Sequence, residues 1–223
     1  MSAWTRVFRW CEGRTLDGRI RRVEEPSGIG GSAHVDPPDA VSIGHWYLHA
    51  RSAHRDGEVI RAYEELQKET DRLFVRLTQT ARPTSVRVVF TRCRDPYAND
   101  GELIAAVRTG RTLEVTSAAV AGRGLHPLLG CDFGGALDRF RAVHDLIGHA
   151  WCGYSFELAD ELAAWRAQQR MHGPRARLAL ATELLGVNAA RFVLGDPPEL
   201  RALLLGSLPA VQQPPGSGRP GRT

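Results

Sequence analysis

The sequence predicts a mainly α-helical, α+β domain that carries a small β-sheet. Apolar residues recur at three- and four-residue steps over residues 58–80 and again from residue 137 onward, which is the period of helices with one buried face. Two short β-branched runs, 85–90 and 112–116, have the pattern of strands. A chain of 223 residues is long enough to bury one sizeable core, so a single domain is expected.

The two ends of the chain are expected to lie outside this domain. Residues 1–44 are predicted to form an N-terminal segment and a loop, because residues 26–44 are dense in glycine and proline. The folded domain is predicted over residues 45–206. Residues 207–223, which read SLPAVQQPPGSGRPGRT, have almost nothing apolar to bury and are predicted to be disordered.

Helices account for most of the predicted domain. The first ends where Ala-Arg-Pro follows residue 80, since proline disfavours a helical conformation in the residue before it. A short helix is predicted around residues 101–108, between the two strands. Three more are predicted in the C-terminal part of the chain, over residues 137–151, 156–171 and 175–192.

Composition and charge argue against several classes of protein. The net charge is +4, but the chain has one lysine, and its arginines alternate with acids instead of forming a stripe along a phosphate backbone. Nucleic-acid binding is therefore not expected. The apolar runs are shorter than the roughly 20 residues of a membrane span, and the N-terminus lacks a signal-peptide pattern. A cytoplasmic protein that does not enter a membrane is expected.

The cysteines do not suggest a structural metal site or a disulfide framework. They lie far apart and form no C-x-x-C pair, which argues against a zinc ribbon or a thioredoxin-type motif. The four positions are Cys11, Cys93, Cys131 and Cys152.

Residues 140–154, FRAVHDLIGHAWCGY, contain the pair of residues that most resembles a site of chemistry. His144 and His149 are five positions apart, which separates two side chains by about 140° on a regular α-helix. This spacing differs from the four-residue spacing of zinc-protease helices. The two imidazoles can still converge where a helix ends or is distorted, and Gly148 offers such a point. The pair is interpreted either as metal ligands or as hydrogen-bonded structural histidines.

A metal site on the C-terminal helices would need a third ligand. Two histidines and one carboxylate form the facial triad of non-haem Fe(II) oxygenases, which leaves positions for O2 and substrate. Asp145 adjoins a histidine and is better suited to orienting it. Glu183 lies in an apolar helix, where an acid is costly unless a metal or an arginine meets it. The carboxylates considered are Asp145, Glu157, Asp160, Glu161 and Glu183.

The segment HDLIGH resembles the H-[DE]-L-x-G-H element of the pterin-dependent aromatic amino acid hydroxylases. In that family both histidines bind iron, together with a glutamate in a downstream T-V-E-F-G segment. Here ATELLG (181–186) follows in the same order. The resemblance implies Fe(II) bound by His144, His149 and Glu183, with O2 as cosubstrate. It also implies a reduced pterin as electron donor, although no pterin-binding segment is recognisable.

A second pattern in the same region is similar to uncharacterised bacterial and phage proteins. It reads F-R-x-V-H-D-x-x-G-H, then E-x-x-A-W, then T-E-x-x-G-x-N. The sequences ELAAW (161–165) and GVN (186–188) match it. Glu161 therefore stays an alternative to Glu183 as a ligand, and an alternative to Asp145 as a catalytic base.

The expected function is that of a mononuclear non-haem iron oxygenase that hydroxylates a small, aromatic or amino-acid-like substrate. One alternative is a zinc-dependent hydrolase with Glu161 or Asp145 as general base. The other is a non-catalytic, phage-related structural protein. Four side chains are predicted to contact a substrate: Arg141, Trp151, His126 and Tyr97.

Overall fold

The chain folds mainly into helices that surround one two-stranded parallel sheet, which confirms the predicted fold class. The computed structural model describes residues 37–79, 85–118, 125–130 and 132–205. The predicted N-terminal segment up to residue 36 and the predicted tail lie outside these ranges. In chain order the described elements are α1 (Pro37–His49), α2 (Gly57–Thr78), β1 (Arg87–Thr91), α3 (Asp100–Arg108), β2 (Thr112–Thr116), α4 (Ala136–His144), the π-helix π1 (Asp145–Trp151), α5 (Leu158–Gln169), α6 (Pro174–Ala181), the π-helix π2 (Thr182–Gly186) and α7 (Val187–Leu194).

Helix α1 corrects the predicted loop at residues 26–44, because its first eight residues belong to that range. Proline is tolerated in the first turn of a helix, where its missing N–H would have no intrahelical partner. Gly44 then allows α1 to pack closely on α7. A Cβ at this position would lie 2.5 Å from the carbonyl oxygen of Ala189, so any larger residue would push the two helices apart.

Helix α2 is close to its predicted bounds and forms the central support of the domain. Its N-terminus is capped by Asp56, whose carboxylate accepts hydrogen bonds from the backbone N–H groups of Glu58 and Val59. One face is buried along the whole helix. Leu66 on that face is fully buried, which contributes roughly 1.5–3 kcal/mol relative to an exposed leucine.

The predicted strands pair in parallel, with Arg87 of β1 beside Thr112 of β2 and α3 as the crossover between them. Their apolar residues pack with α3, the end of α2 and π1 in one core cluster. A second cluster lies between α2, α4 and α6. Because α4 contributes to both clusters and π1 continues from it into the first, the helix that carries them is held from two sides.

Two of the three long C-terminal helices that the sequence predicts contain a π-helical segment. The predicted helix 137–151 is α4 followed by π1, and the predicted helix 175–192 is α6, π2 and α7. Both segments continue without a break from the preceding α-helix. None of the helices in the described part of the chain combines the length and the apolar character needed to cross a membrane.

Candidate metal centre

The π-helix π1 brings the two histidines of HDLIGH together. A π-helix closes hydrogen bonds from residue i to residue i+5, so residues five apart lie on the same face. At the end of π1, the N–H of Cys152 bonds to the carbonyl of Ile147 with this spacing, at 3.2 Å. The Nε2 atoms of His144 and His149 are 3.2 Å apart. The angular separation expected on a regular α-helix therefore does not apply here.

Gly148 allows helix α5 to place a carboxylate opposite this pair. A Cβ at Gly148 would lie 2.8 Å from the Cβ of Ala164 on α5, a distance that only a glycine permits. Glu161 lies one turn before Ala164. Its Oε2 is 3.0 Å from Nε2 of His144, and its Oε1 is 3.6 Å from Nε2 of His149.

These three side chains could together hold a metal ion. One ligand atom from each of His144, His149 and Glu161 lies within 4.8 Å of the other two. His149 is 1% exposed, His144 is 8% exposed, and the Glu161 side chain is 12% exposed. Two imidazoles and one carboxylate form the facial arrangement that leaves positions open on a bound metal.

The hydrogen bonds around the histidines leave their Nε2 atoms available as ligands. Nδ1 of His149 donates to the carbonyl oxygen of Tyr154 at 2.9 Å, and Nδ1 of His144 donates to Oε1 of Gln168 at 3.2 Å. A neutral imidazole that carries its hydrogen on Nδ1 has its lone pair on Nε2. Two such lone pairs beside a carboxylate repel each other unless a cation lies among them. The donor set therefore fits a divalent metal.

Charge couples Glu161 to the histidines in the metal-free protein. Burial alone would lower the pKa of His144, but the charge and hydrogen bond of Glu161, with Asp145 and Gln168, raise it to about 9. Burial alone would raise the pKa of Glu161, but His144, His149 and Arg191 hold it below its usual range. A proton between His144 and Glu161 thus takes the place that a metal would occupy.

Helix α7 fixes the carboxylate from the other side. Asn188 Nδ2 donates a hydrogen bond to Glu161 Oε2 at 3.1 Å. Sequence reasoning assigned no role to Asn188 or Gln168. For Asn188 a signal existed in the T-E-x-x-G-x-N pattern, whereas nothing in the sequence singles out Gln168, which lies 24 positions from the histidine that it contacts.

Asp145 does not orient either histidine, which differs from the role predicted for it. That role belongs to Gln168 and the backbone of Tyr154. Burial raises the pKa of Asp145, against the opposing effect of His144, His149 and Arg141. The Asp145 carboxylate lines the adjoining cavity.

Glu183, predicted as the third ligand, is not in the group of side chains that could hold a metal ion. Its Oε1 accepts hydrogen bonds from the hydroxyl of Tyr63 at 2.6 Å and from Nε2 of His126 at 3.0 Å. Tyr63 lies on α2, so the buried carboxylate is held toward that helix. The structure satisfies this acid with neutral donors, an arrangement that the metal and arginine alternatives did not include.

The three possible ligands line a cavity of about 1740 Å³, and Tyr97 and Arg141 lie on its wall, where substrate contacts were predicted. The hydroxyl oxygen of Tyr97 accepts a hydrogen bond from the N–H of Glu114 at 2.7 Å. The other two predicted contacts are not on the wall. Trp151 packs against the core around the sheet, and His126 is buried beside Glu183.

The chain matches no protein-family model, and neither a search of curated proteins nor a search of solved structures gives a match.

Proposed function

We propose that the protein is a mononuclear non-haem iron oxygenase that acts on a small molecule with O2. The observation that carries the proposal is the buried group of two imidazoles and one carboxylate at the wall of a large cavity. When bound in such a group, iron(II) supplies the activation of O2 that hydroxylation requires. The ligand set in this proposal is His144, His149 and Glu161.

The surrounding residues would hold the ligands in place during the reaction. Gln168 and the carbonyl of Tyr154 fix the orientation of the two imidazole rings, and Asn188 fixes the carboxylate. Phe156 packs edge-on against His149, with ring centroids 4.8 Å apart, and keeps water from that ring. Preorganised ligands of this kind raise metal affinity because little order is lost on binding.

The cavity supports a small substrate with an apolar part. Three exposed apolar side chains line it, namely Leu125, Phe156 and Phe192. Aromatic rings at a cavity wall favour a flat or aromatic ligand. Arg141 and Tyr97 add polar groups to the same wall. These features fit an aromatic or amino-acid-like substrate. In the proposed reaction a reduced pterin is the reductant and supplies two electrons.

A second candidate function, a zinc-dependent hydrolase, is favoured by Asp145. Its carboxylate lines the cavity, accepts no hydrogen bond from the described residues, and has a pKa raised by burial. A carboxylate of this kind can accept a proton from water as a general base. Zinc would supply the Lewis-acid activation of that water. Glu161, as a ligand, would not be the base.

Metal content distinguishes these functions. Protein purified without oxygen is expected to contain close to one iron per chain, and His144→Ala, His149→Ala and Glu161→Ala are each expected to lose it. Glu157→Ala is the matched control, because Glu157 is another cavity carboxylate that is outside the ligand group. Elemental analysis of the wild type and these variants, each folded as judged by circular dichroism, makes the measurement.

Other outcomes of the metal analysis would contradict the iron oxygenase or its proposed ligands. Tightly bound zinc in place of iron would favour the hydrolase. Metal lost from Glu183→Ala but kept by Glu161→Ala would restore Glu183 as the third ligand. Absence of metal after loading with iron, zinc or manganese would reject both enzymes and leave a structural role for the histidines. For the iron protein, a nitric oxide adduct detected by electron paramagnetic resonance would test for an open coordination position.

A further inference from the structure

Glu183 is a buried acid in the metal cavity that the proposed reaction does not use. It is 5% exposed, lines the cavity, and lies outside the metal-binding group. A carboxylate is rarely buried without a partner, because removing its charge from water is costly. The hydrogen-bond partners of Glu183 therefore need to be identified, to find which donors and which charge its carboxylate lacks.

Both hydrogen-bond partners of Glu183 are neutral. The N–H of Leu128 donates to Nδ1 of His126 at 3.3 Å, so Nδ1 is an acceptor and the ring hydrogen is on Nε2, which donates to Glu183. Burial and the neighbouring Glu183 charge raise the pKa of Tyr63 well above its usual value, so its hydroxyl stays protonated. No lysine or arginine among the described residues forms an ion pair with Glu183.

The two hydrogen bonds converge on one oxygen of this carboxylate. The Tyr63 hydroxyl and His126 both donate to Oε1, and no described residue donates to Oε2. In the described part of the chain, some polar side-chain atoms are fully buried and have no hydrogen-bond partner, and Oε2 is not one of them. Oε2 is therefore not fully buried. Because Glu183 lines the cavity, its second oxygen is accessible from there. The carboxylate thus offers the cavity an acceptor oxygen that no lysine or arginine of the described residues pairs with.

We propose that Glu183 binds a protonated amine of the substrate through Oε2. An ammonium group supplies the missing positive charge and up to three hydrogen-bond donors, whereas a hydroxyl supplies one donor and no charge. The inference depends on the proposed function in taking this cavity as the substrate site. The binding of the amine itself does not require the metal.

The fold connects this amine-binding residue with the metal ligands. Glu183 and Asn188 are five positions apart across π2, so they lie on one face of the helix, as His144 and His149 do across π1. Asn188 donates to the metal ligand Glu161. A substrate whose amine is held by Glu183 would therefore extend along this face toward the metal-binding group.

A matched pair of probes tests the inference. The binding of 2-phenylethylamine and of its neutral analogue 2-phenylethanol to metal-free protein is measured by calorimetry or ligand-observed NMR. Without metal, the amine cannot bind by coordination. The wild type is expected to bind the amine roughly tenfold more tightly than the alcohol, the difference between a charged and a neutral hydrogen bond. Glu183→Gln is expected to bind the two equally while retaining the metal content of the wild type.

Glu161→Gln is the control for the other carboxylate of the cavity, and its preference for the amine should remain, because Oε2 of Glu161 is already bonded to Nε2 of His144 at 3.0 Å. Tyr63→Phe keeps the Glu183 charge and should also keep the preference, which provides a second variant if Glu183→Gln does not fold.

Equal affinity of the wild type for both probes, or no saturable binding of the amine at millimolar concentration, would overturn the inference. So would a preference lost in Glu161→Gln and kept in Glu183→Gln. A wild type that prefers the amine but binds no metal would reject the oxygenase and leave the amine site standing.

Discussion

Gln168 has a hydrogen-bonding pattern that a purely structural residue would not need. The side chain is fully buried, and its Oε1 accepts a hydrogen bond from Nδ1 of His144. Its Nε2 is a buried donor with no hydrogen-bond partner among the described residues. An unpaired buried donor of this kind costs about 1–3 kcal/mol. The cost is explained if Gln168 is retained to keep the hydrogen of His144 on Nδ1 and its lone pair on Nε2, toward the metal position.

The protonation of His144 predicts how metal affinity depends on pH. Its pKa of about 9 in the metal-free protein means that a proton occupies Nε2 at neutral pH and must leave when a metal binds. Zinc affinity is therefore expected to rise by about one order of magnitude per pH unit from pH 6 to pH 8 and to level off near pH 9. Competition with a chromophoric chelator measures the affinity.

Glu161 does not add to this slope, because its pKa is already lowered and the carboxylate is charged over the whole range. His54→Ala is the control, since His54 also lines the cavity but is outside the ligand group. In His54→Ala, zinc affinity should rise with pH as steeply as in the wild type. Zinc affinity that does not change between pH 6 and pH 8 would contradict the assignment of the displaced proton to His144.

At the scale of the elements, hydrophobic periodicity predicted most of the fold. The apolar pattern located α2 and the three C-terminal helical regions within a few residues, and alternation located both strands. The first eight residues of α1 were missed, because glycine and proline dominate the segment 26–44 that contains them. The composition of a short segment does not show that Gly44 will pack against a later helix.

The ligand geometry could be predicted only in part, because it depends on the hydrogen-bond register of a helix. An α-helical register separates His144 from His149, and the π-helical register joins them. The choice between Glu161 and Glu183 is a tertiary one. Both acids lie on C-terminal helices, and the close approach at Gly148 selects Glu161 while Tyr63 and His126 bind Glu183.

The contact between π1 and α5 can be tested with a compensating pair of substitutions. Gly148→Ala places a methyl group 2.8 Å from Ala164 and should displace α5, and Glu161 with it. We expect a loss of about 1–3 kcal/mol in the free energy of unfolding and at least a tenfold loss of zinc affinity. The double variant Gly148→Ala/Ala164→Gly removes the clash and should recover most of the affinity.

Ala164→Gly alone is the control for this pair, because it weakens α5 by about 1 kcal/mol without crowding the ligands. Its zinc affinity should stay near that of the wild type. Chemical denaturation and chelator competition give the two quantities for all four proteins. A Gly148→Ala variant with unchanged affinity would show that the close approach does not position Glu161.

At the scale of the whole molecule, metal binding is expected to stabilise the fold. The ligands come from separate elements, the α4–π1 helix and α5, so a metal binds the folded chain more tightly than the unfolded one. Zinc at a hundredfold excess over its Kd should add about 2.7 kcal/mol and raise the Tm by roughly 5–10 °C. Thermal unfolding with and without zinc provides the measurement.

Hydrogen exchange should locate this stabilisation. Protection is expected to increase in π1 and α5 and to change little in β1, which contributes no ligand. His149→Ala should show neither the rise in Tm nor the added protection. An equal rise in the Tm of His149→Ala would mean that zinc stabilises the protein at some other position.

The segment after α7 is joined to the end of α1, and this connection has a consequence for the order of assembly. Tyr47 and Ser52 form hydrogen bonds with residues 199–202, over separations of 150 to 154 positions. Closing so long a loop is entropically unfavourable, and contacts of this range form slowly. The first and last candidate metal ligands, His144 and Glu161, are only 17 positions apart. In contrast, Glu199 and Arg201 complete the cavity wall. During folding, the ion-binding group is therefore expected to form early, and the chamber beside it to close last.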